Sequence, residues 1–98
     1  MMFFITDLDN KVLENNQDID HTLGYTREEL LGKPLTVLLT LASSTIVRTQ
    51  VTAALQTRTA LFSCDLEALK KDGSQVCCKA KGKILYTGDQ AVALIWVM

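Results

Sequence analysis

The sequence predicts an α+β fold, a five-stranded antiparallel sheet with short helices and one longer helix packed on one face. Three observations predict it. Between Ser43 and about Thr59 the chain has no Pro or Gly, and Ile46, Val47, Val51, Ala54 and Leu55 recur at spacings that place them on one side of a helix. From Leu61 onward the apolar period drops to two, the signature of half-buried strands. Turn-forming clusters at Asp9-Asn10, Lys71-Asp72-Gly73 and Thr87-Gly88-Asp89 cut the remainder into strand-length runs. Strands, then helices, then three antiparallel strands make a sheet with its helices gathered on one face.

In chain order, Phe3 to Thr6 and Lys11 to Leu13 form a hairpin around Asp9-Asn10. Asn15 or Asn16 caps a short helix that runs through Leu23 and stops at Gly24. Thr26 caps a second short helix, Glu29 completes its capping box, and Gly32 supplies a left-handed stop before Pro34 starts another turn. Ser43 or Ser44 caps the long helix, whose Arg48 and Arg58 face water.

In the strand region, Phe62, Cys64, Leu66 and Ala68 alternate with polar residues, and Val76, Cys78, Ala80, Gly82 and Ile84 do the same with Lys79, Lys81 and Lys83 between them. A three-residue turn with Gly73 in the left-handed bulge position puts Lys70 opposite Ser74. Cross-strand sums are then constant, so Cys64 faces Ala80, Leu66 faces Cys78, and Asp65 faces Lys79 in a solvated ion pair. The last strand, Ala91 to Met98, is apolar on both faces as a central strand should be. Val92, Leu94 and Trp96 share one face and Ala93, Ile95 and Val97 the other; one of the two packs on the helices, and the one left without a covering element is a candidate protein contact surface.

Composition narrows the function. The 98 residues suit one domain, and ten basic against eleven acidic side chains leave a net charge of -1, without the basic footprint of a nucleic-acid binder. No apolar run approaches the roughly 20 residues of a membrane span, so no membrane contact is expected of this segment. Three cysteines without CxxC spacing argue against a disulfide framework and a zinc site, and point to a reducing, cytoplasmic setting. The abrupt, strand-like ends read as a domain cut from a longer protein.

Asn16, Leu23, Gly24, Tyr25, Thr26, Glu28, Glu29, Leu30 and Gly32, followed by Lys71-Asp72-Gly73-Ser74, resemble the PAS sensor-domain family in order and spacing across essentially the whole chain. The resemblance implies a sensory domain of a prokaryotic signal-transduction protein, a histidine kinase or a cyclic-dinucleotide enzyme, that reports ligand or partner state to an output domain and is not itself an enzyme. Asp18 and Ile19 depart from the family pattern, which usually has Ala and Phe there. Either the short helix is shifted outward, or the cavity near it is polar.

Family members hold flavin, haem, small organic acids or nothing between the sheet and the long helix. The segment GKPLTVLLTLAS carries no cysteine for a photochemical flavin adduct, and the long helix has no His for a haem iron, so neither cofactor is supported and the cofactor is left unknown. Helix phase and strand alternation place Val47, Val51, Phe62, Cys64 and Cys78 as candidate cavity lining for a small-molecule ligand. A ligand-free module that homodimerises through the outer sheet face is the alternative, and a thiol-based redox sensor a third, with Cys77 as the better thiol because it points away from the apolar face. Cys64 and Cys78 read as small hydrophobes. His21, on a short helix, reads as a surface residue, and no catalytic or metal-binding set is present.

Overall fold

The structure is a computed structural model and describes residues 1–98. Its elements are β1 (Phe3–Thr6), β2 (Val12–Asn15), α1 (Asp18–Leu23), α2 (Arg27–Leu30), a 3-10 turn (Leu35–Leu38), α3 (Leu41–Thr57), β3 (Leu61–Leu69), β4 (Gln75–Thr87) and β5 (Gln90–Val97). The strands form a single antiparallel sheet in the order β2-β1-β5-β4-β3, so β5 is its centre. Phe4, Leu66, Ala80, Ile84, Leu94 and Trp96 point from the sheet into a core shared with the helices.

The β3–β4 register is the expected one: Cys64 pairs with Ala80, Leu66 with Cys78 and Asp65 with Lys79. Gly73 has φ +90°, and the Lys70 N–H donates to the Ser74 carbonyl at 2.8 Å. Asp65 and Lys79 face each other, yet their charges are not among the ion pairs formed. Val92 differs from expectation. Opposite Leu85 and Tyr86, which pair with Ala93 and Ala91, β5 bulges at unpaired Val92, so Ala91 packs against the core while Val92 is exposed.

Both short helices end as glycine placement requires. The Gly24 amide, at φ +86°, donates to the Asp20 and Ile19 carbonyls. Gly32, at φ +79°, turns its amide onto the Val12 carbonyl at 2.7 Å. The first cap differs from the expected Asn. Gln17 sits at the N-cap without a side-chain bond, because Asn16 accepts from the Phe3 amide at 3.1 Å and so ties α1 to β1. Ile19 is buried, whereas half of the Asp18 side chain stays in solvent. The helix is therefore not shifted outward: Ile19 and Leu23 hold it on the core, and the Asp18 carboxylate reaches solvent, paired with the N-terminal ammonium.

α3 also begins earlier than expected. Thr40 accepts from the Ser43 amide at 3.2 Å and is the cap. Ser43 is buried instead and its hydroxyl accepts from the Glu67 amide of β3 at 2.8 Å. The buried face of α3 is Ser43, Ser44, Val47, Val51 and Ala54; Ile46 falls outside it and is exposed.

The chain between α2 and α3 secures both edges of the sheet. On the β2 edge, the Val12 amide donates to the Lys33 carbonyl at 2.8 Å and the Leu35 amide to the Asn10 carbonyl at 2.7 Å. On the β3 edge, Leu39 pairs with Ala68, and the Thr40 amide donates to the Glu67 carbonyl at 3.1 Å. Residues 34–39 thus span from one edge strand to the other over buried Leu35, Leu38 and Leu39. A stretch containing a 3-10 turn, at about 2.0 Å per residue, is far shorter than the about 19 Å across five flat strands, so the sheet must curl around the core.

Candidate functional site

Of the five residues expected to line a cavity, Val47 and Val51 are buried on α3, while Phe62 and Cys64 on β3 and Cys78 on β4 share the inner sheet face and are half-buried. The Phe62 ring meets Trp96 edge-on, with centroids 5.4 Å apart and planes at 85°. It does so by lying over Gly82, where a Cβ would collide with Phe62 Cζ. Trp96 donates its indole N–H to the Thr6 hydroxyl at 3.1 Å in a fully buried bond. Thr6, Trp96, Phe62 and Gly82 therefore form one connected unit across β1, β5, β3 and β4.

Three of those four were not among the candidate site residues. Gly82 carried a signal, since a glycine inside a strand marks a close approach. Thr6 on the inner face of β1 carried another, a hydroxyl needing a partner. The pairing of Thr6 with Trp96, 90 residues apart, follows only from β1 lying beside β5.

Two inner-face polar groups lack a partner, the Tyr86 hydroxyl and the Asn15 side-chain oxygen. Asn15 is 3% exposed, and its amide N–H donates to the Arg27 carbonyl at 3.3 Å. Each unpaired buried group costs about 1–3 kcal/mol, so a donor or acceptor presented there gains that amount.

Partial burial disfavours the thiolate form of the two inner thiols. Burial pushes the Cys64 thiol up, with the Asp65 carboxylate adding to it, and burial likewise raises Cys78. Cys77 is exposed on the outer face opposite Glu67. His21 is exposed, as expected.

Outside, Ile95 and Val97 of β5 are half-buried and border a concavity of ≈ 380 Å³ with Leu61, Met98 and the lysines of β4. Lys81 and Lys83 lie opposite Val97 and Ile95, with Ser63 and Leu61 on their other side.

The family profile described as PAS domain matches residues 1–98. The chain belongs to the PAS domain family. Solved PAS domains share its fold. The PAS domain of a protein from Colwellia psychrerythraea superposes with a TM-score of 0.83 at 20% identity, over 97% of this chain and 81% of that one. The PAS-B domain of Drosophila melanogaster Cycle, solved with bound ethylene glycol, reaches 0.87 at 13% identity, over 99% and 96%. A tryptophan-to-alanine variant of that domain, solved with bound glycerol, reaches 0.86 at 13% identity over the same shares. No curated protein sequence matches the chain. PAS domains are general sensory and signalling modules that commonly bind small ligands and dimerise. No helix of this PAS domain is long and apolar enough to cross a membrane.

Proposed function

We propose that these 98 residues are the sensory and regulatory unit of a larger cytoplasmic signal-transduction protein of a prokaryote, a histidine kinase or a cyclic-dinucleotide enzyme. The unit catalyses nothing itself; it converts ligand or partner state into a change felt by an output domain. The observation that carries this reading is the alternation along β5. Leu94 and Trp96 are buried inward, while Ile95 and Val97 face the open outer surface. A molecule that displaces Trp96, or Phe62 against it, bears on β5, whose alternate residues form the outer contact face. Binding then biases the sheet between two arrangements by the ligand's differential affinity for them.

In this reading Val47, Val51, Phe62, Cys64 and Cys78 line the ligand space. The unpartnered Tyr86 hydroxyl and Asn15 oxygen supply its polar contacts. The ethylene glycol and glycerol in the Cycle PAS-B structures support small-molecule occupancy of this fold. Native mass spectrometry of the purified domain, with an absorption spectrum of the same sample, tests it. A co-purifying small molecule is expected; a bare, ligand-free dimer contradicts it.

That second outcome is the homodimerisation reading. The ≈ 380 Å³ apolar concavity on the outer face favours it, since Leu61, Ile95, Val97 and Met98 gain burial against a second copy. A thiol-sensing role rests on exposed Cys77, because burial raises the Cys64 and Cys78 thiols and disfavours their thiolates.

A further inference from the structure

A small cleft of ≈ 120 Å³ lies between the β1–β2 turn and the first half of α3, with Asp9 and Asn10 on the turn side, Ser44 and Arg48 on the helix side, and buried Leu39 and Val47 in its lining. It is apart from the inner-face residues Phe62, Cys64 and Cys78 and shares only Val47 with the lining discussed above.

Its polar groups are unspent. Ser44 and Arg48 are one helical turn apart and share a face. Ser44 is only 6% exposed, yet its hydroxyl makes no hydrogen bond within the protein, while its own amide is used by Thr40. Neither Arg48 nor Asp9 takes part in any of the four ion pairs, including one with the other. The Asn10 side-chain oxygen is buried without a donor, in a residue held at φ 62° by the turn. Turning that amide over still leaves one buried polar atom unpaired. The neighbouring Asp7 carboxylate is already engaged by the amides of Asp9 and Lys11, at 2.9 Å each, and Lys11 itself is exposed.

The cleft is therefore dipolar, with a cation and a hydroxyl on the helix side and a carboxylate and an amide oxygen on the turn side. We propose that it binds a small zwitterion, an α-amino acid of about the size of alanine or serine. Its carboxylate sits on Arg48 and the Ser44 hydroxyl, and its ammonium on the Asp9 carboxylate. A simple anion meets Asp9 unfavourably, and a simple cation meets Arg48; the zwitterion satisfies both. The volume holds about four waters at about 30 Å³ each, which is also the room one such molecule needs. The site relies on the sensory reading for its consequence, not for its chemistry.

Protein-observed NMR titration of the chain with L-alanine tests the site. Saturable shifts are expected at Asn10, Ser44, Val47 and Arg48 in the millimolar range. Arg48→Ala and Asp9→Asn, both at exposed positions that leave the core intact, should each weaken binding at least about tenfold. Propionate and ethylamine, each carrying half of the charge pattern, should also bind at least about tenfold more weakly. The proposal is overturned by the absence of saturable shifts at these residues, by propionate or ethylamine binding as tightly as alanine, or by wild-type affinity in Arg48→Ala. A domain that carries a co-purified ligand on its inner face but ignores alanine overturns this site and leaves the sensory reading standing.

Discussion

Glu29 and Lys71, 42 residues apart, meet at 2.6 Å between carboxylate and ammonium, and so join the two most recognisable stretches of the sequence. The other Glu29 oxygen accepts from the Thr26 amide at 3.1 Å, closing the capping box of α2. The Lys71 amide donates to the Leu23 carbonyl at 2.8 Å, just before Gly24, whose φ of +86° a side-chain-bearing residue rarely adopts. Gly24, Glu29 and the Lys-Asp-Gly turn are thus parts of one junction that holds α1 and α2 to the tip of the β3–β4 hairpin.

The junction gives stability a dependence on acid. The Lys71 ammonium, followed by the Thr26 amide, lowers the Glu29 carboxyl from its ordinary 4.5 to about 2. A lowered folded-state value means the contribution is present above about 4.5 and is lost as pH falls towards about 2. Glu29→Gln should therefore flatten the decline of the urea midpoint through that window while lowering the midpoint near neutrality. An unchanged acid profile would show that the pair adds nothing, as many exposed pairs do.

Gly82 is required by the ring above it. Gly82→Ala should cost about 1–3 kcal/mol in urea unfolding, because Phe62 must leave its place against Trp96. Adding Phe62→Leu should return part of that loss, and strictly additive effects of the two changes would place the clash elsewhere.

Thr6→Val keeps the shape and removes the acceptor of the Trp96 indole. With its N–H left unpaired in the core, the domain should lose about 1–3 kcal/mol, and Thr6→Ser should restore most of it. The indole proton shift of Trp96 reports the bond directly and should move only in the valine variant.

Thr40, rather than Ser43, caps α3, and the Ser43 hydroxyl accepts from the Glu67 amide instead. Thr40→Ala should cost about 1 kcal/mol as loss of a cap, with fraying at Leu41 and Ala42. Ser43→Ala should instead leave the helix start intact and speed hydrogen exchange at the Glu67 amide.

The β3–β4 register was readable because a tight turn fixes every pair beyond it, and Lys71-Asp72-Gly73 declares its own geometry. The capping box of α2 was readable because both partners lie within four residues. What escaped was set at a distance. Ser43 looks like a cap until the β3 edge claims its hydroxyl, and Val92 follows strict alternation until a bulge makes it the unpaired residue of β5. Among the candidate lining residues, helix phase and alternation were enough to place Val47, Val51, Phe62, Cys64 and Cys78 inward. They did not disclose that Phe62 leans on Trp96, since that contact depends on β5 taking the centre of the sheet.

The central claim is that a change inside the sheet is felt on its outer face through β5. Comparing backbone amide shifts of the wild-type chain and Phe62→Leu tests it, with Gln56→Ala, an exposed position on α3, as a surface control. Shifts at Ile95 and Val97, absent in the control, are the predicted result; perturbation confined to inner-face neighbours such as Gly82 and Trp96 would contradict it.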